Sequence, residues 1–196
     1  MVHFDRAEFA AGLVRLVDLH DDKTATHLRA TGVLAGRIAA RMHLPADTAS
    51  AAELAGLLHD IGKVGVARAV LCKPGDLTDD EWVEMRLHAQ LGAAVVASVP
   101  MLAYLAPIVR AHHERMDGQG YPDRLRGEEI PLEARIVAVA DAFHALTTDR
   151  PYRRAVMPKA ALCILESAAA TQFDIDVVAA TLDLFGQPRV SRRMSA

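Results

Sequence analysis

Cysteine is nearly missing from this chain: there are two, Cys72 and Cys163, far apart and without the C-x-x-C spacing of a redox or zinc motif. A disulfide framework is excluded, and both cysteines are expected to pack as small hydrophobes in a reducing compartment. Aromatic residues are scarce as well, at 5% with a single tryptophan, while 52% of the chain is hydrophobic and rich in Ala, Leu and Val. That balance suits closely packed helices rather than strands. An excess of basic charge is also lacking. A net charge of −3 gives no field to draw in duplex nucleic acid or an anionic membrane, so any phosphate must be met locally. No secretory signal is visible, because Asp5, Arg6 and Glu8 occupy the place of an apolar core. The longest uncharged run, 91–109, is broken by Pro100 and Pro107 and reads as two buried helices, not a membrane span. A cytoplasmic protein is expected.

What is present is helix punctuation. Asp5-Arg-Ala-Glu8 and Thr78-Asp-Asp-Glu81 have the capping-box pattern. Periodicity and breakers predict helices near 5–20, 22–42, 46–60, 79–98, 101–113, 132–148, 158–170 and 174–185. Lys73-Pro74-Gly75 marks a turn, and 114–131 a long loop interrupted by Gly118, Gly120, Pro122, Gly127 and Pro131. A loop of that length inside a domain is usually functional. The expected fold is all-α, one domain built as a bundle of about seven or eight helices. Residues 1–20 form an N-terminal helix, a candidate linker or dimer helix. Residues 21–186 form the body, and 187–196 a flexible tail.

Histidines and acids fall at positions where a helical domain can least easily bury them. His27 shares a stripe with Leu34 and Ile38, and His88 shares one with Met85, Gly92 and Val95, so both point inward. His59-Asp60 closes a helix whose inner face is Leu54, Leu57 and Leu58, where a carboxylate without a cation is costly. His112 and His113 are neighbours, which a regular helix points about 100° apart, so a helix end is needed for both to reach one ion. Asp141 ends the apolar run Ile136-Val-Ala-Val-Ala140. Each has a bland explanation alone, as a packed histidine or an inter-helix salt bridge. A metal cluster accounts for all seven together.

In their order, His27, His59-Asp60 and Asp141 resemble the ligand set of the HD phosphohydrolases. His88, His112, His113 and Gly120-Tyr121-Pro122 resemble the HD-GYP subgroup, as do Lys73-Pro-Gly-Asp-Leu-Thr78 and Asp149-Arg-Pro-Tyr-Arg153. The resemblance covers roughly residues 20–180. It implies that 21–186 is a catalytic domain hydrolysing cyclic di-GMP to linear pGpG, GMP or both, through a hydroxide bridging two cations. It assigns His27, His59, Asp60 and Asp141 to one metal and His88, His112 and His113 to the second, with Asp60 as bridge. Lys63 would touch the scissile phosphate, Arg150 and Arg153 would grip the ligand, and Tyr121 would shape the pocket wall. The donors suit iron or manganese, and zinc as well. Other members of the family carry upstream sensory domains, and a homodimer is a further expectation. Two rivals remain: a phosphohydrolase of another cyclic or linear nucleotide, and a non-catalytic nucleotide-sensing or docking module. The chain departs from the family at Lys23, where a glutamate can hold a third metal, so two ions are expected. It also departs at His144, where aspartate is usual and which should border the site, and at Met116, where an aromatic is common.

Overall fold

In the computed structural model, residues 5–18, 22–149 and 154–186 are described, and nine α-helices account for most of them. They are α1 (Arg6–Asp18), α2 (Asp22–Arg41), α3 (Ala46–Leu58), α4 (Arg68–Leu71), α5 (Asp79–Ala97), α6 (Ala106–Ala111), α7 (Leu132–Thr147), α8 (Pro158–Ser167) and α9 (Ile175–Leu184). Among the described residues there is no strand, only an isolated bridge between Ala169 and Phe173. The fold is all-α, as composition and periodicity indicate.

Local chemistry starts and stops these helices. Thr78 caps α5 with the full capping box: its side chain accepts from Glu81 N, and Glu81 Oε2 accepts from Thr78 N at 2.7 Å. Asp5 accepts from Ala7 N at the start of α1, and Asp174 accepts from Asp176 N and Val177 N at the start of α9. Pro107 and Pro158 sit in the first turns of α6 and α8, where their missing N–H is no loss.

Helix α2 lies along α3 and α7, and α5 lies against α6 and the 3-10 turn Ile61–Gly65. Between α2 and α3 the backbones nearly touch, since a Cβ built on Gly56 would stand 2.9 Å from the Gly32 Cα. Leu28, Ile38, Leu58, Leu102, Leu105, Ile136 and Leu165 are fully buried in the core they enclose. Ala10, Val14 and Val17 bring the inner face of α1 into the same core. No helix among the described residues is long and apolar enough to cross a membrane; Pro100 lies in the turn after α5 and Pro107 inside α6, which divides the 91–109 run.

Three expectations need correction. Cys72 and Cys163 are exposed and free, because each falls on the outer side of a helix end or face and neither joins the core. The helix expected over 101–113 is a 3-10 turn at Ala103–Leu105 followed by the short α6, which ends at Ala111. No helix was expected between residues 61 and 78, yet that stretch contains the 3-10 turn Ile61–Gly65 and α4. Met116 lies partly buried against the core, filling in part the place of an aromatic.

Candidate metal centre

Helix ends place the ligands. His59 is the C-cap of α3 and Asp60 follows it, both almost fully buried at 1% and 3% exposure. His112 is the C-cap of α6, and because that helix stops at Ala111, His112 and His113 leave it together with ring centroids 4.0 Å apart. His27, His88 and Asp141 come from the inner faces of α2, α5 and α7.

These seven side chains converge. Asp60, His88, His112 and His113 each offer a donor atom within 4.8 Å of one another, and so do His27, His59 and Asp60. Asp141 Oδ1 stands 3.1 Å from His27 Nε2 and 3.8 Å from His59 Nε2. The Asp60 carboxylate lies between the two groups. Its Oδ1 is 3.3 Å from His88 Nε2, and its Oδ2 is 3.4 Å from His59 Nε2 and 3.9 Å from His27 Nε2. Lys63 Nζ donates to the same Oδ2 at 2.5 Å.

Hydrogen bonds fix which nitrogen each ring presents. His59, His88 and His112 donate from Nδ1 to the carbonyls of Gly56, Met85 and Val109, three residues back, at 2.8, 2.6 and 2.6 Å. A carbonyl only accepts, so in each neutral ring Nε2 carries the lone pair and faces the centre. The consequence is otherwise unfavourable. Nε2 of His88 and His112 face each other at 3.3 Å, those of His27 and His59 at 3.4 Å, and Asp60 Oδ1 is buried without a hydrogen-bond partner. Lone pairs aimed at one another and an orphaned carboxylate oxygen are stabilised by cations between them. The residues therefore fit divalent metal.

Electrostatics prepares the donors. Burial, followed by the neighbouring imidazoles, pushes His112 well below its ordinary value. Burial takes His113 down to about 3 and also lowers His88. Burial opposes ionisation of Asp60, but Lys63 and His59 outweigh it and hold the carboxyl well below the usual range. Burial likewise opposes ionisation of Asp141, and the His27 hydrogen bond with the His59 charge lowers it nonetheless. His59 is also pressed down by burial, yet the Asp60 carboxylate leaves it raised overall. A pH dependence follows for chelated protein. Unfolded, these histidines protonate near 6.5, whereas folded His88, His112 and His113 resist protonation, so the unfolded state binds more protons below that pH. Stability is thus lost on acidification, by about 1.4 kcal/mol per pH unit for each ring held fully neutral. His59, being raised, has its contribution fully in place below 6.5, loses it as pH rises above this window, and adds no slope within it. Melting temperatures in chelator should fall steeply from pH 6.5 towards 4; a flat profile would contradict the buried neutral rings.

His144 borders the site, as its helical spacing from Asp141 indicates. Its Nδ1 is 2.8 Å from His27 Nδ1, so it is the partner that sets the His27 tautomer. His27 can present a lone pair at Nε2 only while its Nδ1 donates to His144. His144→Ala is expected to weaken metal binding about 10- to 100-fold, and His144→Asp, which restores an acceptor, to recover it. Competition with a chromogenic chelator measures both.

The loop after His113 folds over the centre. Glu114 is buried, accepts from Asp123 N at 2.7 Å and is raised by burial, pinning the loop from beneath. Gly120 is required by crowding, since a Cβ there would stand 2.5 Å from the Glu114 Cα. Tyr121 stacks beside His113 with centroids 4.8 Å apart. Above them lies a cavity of about 370 Å³ lined by His112, His113, Tyr121, Asp141, Trp82 and Arg86, among others. Glu114, Trp82 and Arg86 were missed from sequence. The one tryptophan, four residues before an arginine on the His88 helix, was the available signal. Arg150 and Arg153 lie outside the described residues, as does the side chain of Lys23.

Residues 13–177 match the HD domain family. The chain belongs to the HD domain family. Curated relatives of this HD domain include the cyclic di-GMP phosphodiesterase response regulator RpfG of Xanthomonas campestris, 41% identical over 89% of the chain and 47% of the relative. A cyclic di-GMP phosphodiesterase of Thermotoga maritima is 38% identical over 86% and 46%. The 3'3'-cGAMP-specific phosphodiesterase 3 of Vibrio cholerae is 38% identical over 85% and 36%. The chain thus spans about half or less of the length of these relatives. Among solved structures, a cyclic GMP-AMP phosphodiesterase of V. cholerae matches the HD domain with a TM-score of 0.72 at 19% identity, covering 92% of this chain and 49% of that one. An HDG"Y"P protein from Bdellovibrio bacteriovorus gives 0.65 at 18%, covering 90% and 61%. At those identities the structures speak for the fold alone.

Proposed function

We propose that this HD domain is a metal-dependent phosphodiesterase that hydrolyses cyclic di-GMP, or a closely related guanine-containing cyclic dinucleotide, to linear pGpG, GMP or both. The observation that carries the reading is the Asp60 carboxylate set between two groups of inward-facing Nε2 donors, with Oδ1 left without a partner. In this reading His27, His59, Asp60 and Asp141 hold one divalent ion, and Asp60, His88, His112 and His113 hold the other. Iron or manganese is proposed, with zinc compatible with the same donors. Such ions supply an ionised water at neutral pH and take up phosphate charge. Relatives named for cyclic di-GMP and for 3'3'-cGAMP are nearly equally similar to this chain, which is why the proposal extends to both nucleotides.

The chain's own residues do the rest. The carbonyl-anchored imidazoles hold their donor nitrogens in place without reorganisation. The Gly120-Tyr121 loop covers the centre and limits access of water. Lys63, which donates to Asp60, is proposed to turn to the scissile phosphate or to help protonate the leaving oxygen. Arg150 and Arg153 are proposed to grip the ligand beyond the centre. We place the catalytic unit at 21–186, with α1 as the helix through which a sensory domain or a second copy would act. The test is turnover of cyclic di-GMP and 3'3'-cGAMP after reconstitution with iron, manganese or zinc. Lys63→Ala should keep both ions and lose roughly 10²-fold in kcat, the scale of one lost charge-stabilising donor. Absence of turnover with all three metals would refute the enzymatic reading in favour of a sensing module.

A further inference from the structure

Two arginines line the cavity over the metal ligands, and their charges are disposed differently. Arg115 donates from Nε and Nη2 to the Asp117 carboxylate at 3.0 and 2.6 Å, a bidentate pair that neutralises it. Among the described residues no carboxylate pairs with Arg86. Its guanidinium carbon lies instead 5.5 Å from the Tyr121 ring centroid and 5.9 Å from that of Trp82, held by two aromatic rings. Trp82 and Arg86 stand four residues apart on α5, share a face and are both exposed at the cavity. Tyr121 in turn neighbours His113. A continuous row, His113, Tyr121, Arg86, Trp82, therefore leads away from the ligand cluster along the cavity wall.

We propose that Arg86, braced by Tyr121 and Trp82, anchors the phosphate of a cyclic dinucleotide that is not being cleaved. The inference rests on the phosphodiesterase reading above. A cyclic dinucleotide carries two phosphodiesters. One has to lie at the ligand cluster, where cations meet its charge, and the other needs a cation outside it. Arg86 is the lining arginine whose charge no carboxylate has already taken. Contact with aromatic rings engages the face of a guanidinium and leaves the N–H groups at its edge for two phosphate oxygens. The half-exposed indole of Trp82 beside it offers a stacking surface for a purine, which a substrate without bases would not use.

The test compares a substrate with two phosphates to one with a single phosphate. Metal-reconstituted Arg86→Gln protein is assayed for kcat and KM on cyclic di-GMP and on bis(4-nitrophenyl) phosphate. Its affinity for the hydrolysis-resistant bis-phosphorothioate analogue of cyclic di-GMP is measured by calorimetry, with metal content checked throughout. The expected result is a 10- to 100-fold rise in KM and in the analogue Kd, carried by loss of a charge-assisted contact of about that size. Selectivity for the dinucleotide over the single-phosphate diester should fall by the same factor, with metal content unchanged. Arg86→Lys should restore part of the loss, and Trp82→Ala should raise KM to a smaller degree. An equal loss on both substrates would overturn the proposal, because Arg86 would then act at the cleaved phosphate or on the centre itself. So would an unaltered analogue Kd. A parent protein that binds the analogue but turns over neither substrate would sink the enzymatic reading only, leaving the Kd ratio to decide the anchor. A parent that fails to bind the analogue would overturn both.

Discussion

Asp60→Asn is expected to lower turnover by at least about 10³-fold, more than the loss of a single electrostatic donor, and to deplete metal from both halves of the centre. Each carboxylate oxygen faces a different histidine group, Oδ1 towards His88 and Oδ2 towards His59 and His27. An amide keeps that shape but loses the negative charge and turns one arm into a donor, which cannot ligate. Overpacking is avoided, so the helices should stay in place. The separation of cause is therefore clean: metal analysis should show ions lost while the helical circular dichroism signal is retained. Retention of two ions with full activity would show that Asp60 bridges nothing.

Gly62→Ala is expected to destabilise the fold by about 3 kcal/mol or more and to reduce metal occupancy on the His88 side. A Cβ at this position would stand 2.0 Å from the His88 carbonyl oxygen and 2.4 Å from Gly92 N. Both are backbone atoms of α5, so no side-chain rotation relieves the clash. The 3-10 turn that follows Asp60 and the helix that carries His88 must separate, and the distance from Asp60 Oδ1 to His88 Nε2 grows with them. Gly92 makes the same approach possible from the other side, since its own Cβ would meet Gly62 N at 3.2 Å. A melting temperature and a metal stoichiometry equal to the parent's would contradict this account.

The glycine of His-Asp-Ile-Gly-Lys thus has a steric reason that is invisible in one dimension. The motif itself was readable, as were most helix positions, because periodicity, the Thr78 cap and proline breakers act within a few residues. The inward direction of His27 and His88 was likewise readable from helical spacing. Where the helix from 101 would stop was not, and stopping at Ala111 is what lets two adjacent imidazoles serve one centre. The cysteines were misjudged for a related reason: a residue type's average burial does not say which face of a helix it occupies.

By itself the sequence determined the helical class, the order of seven histidine and acid positions, and the loop that closes over them, since these depend on local propensity and on charges that a core cannot hold alone. Tertiary structure decided how those charges meet. The setting of Asp60 between two imidazole groups, the His27–His144 pair formed across 117 positions, and the placement of Arg86 beside the Tyr121 ring all depend on which elements touch. For Asp60, those contacts depend on the close approach of backbones at Gly32 and Gly56 and at Gly62 and Gly92, a packing condition that no residue's own spacing expresses.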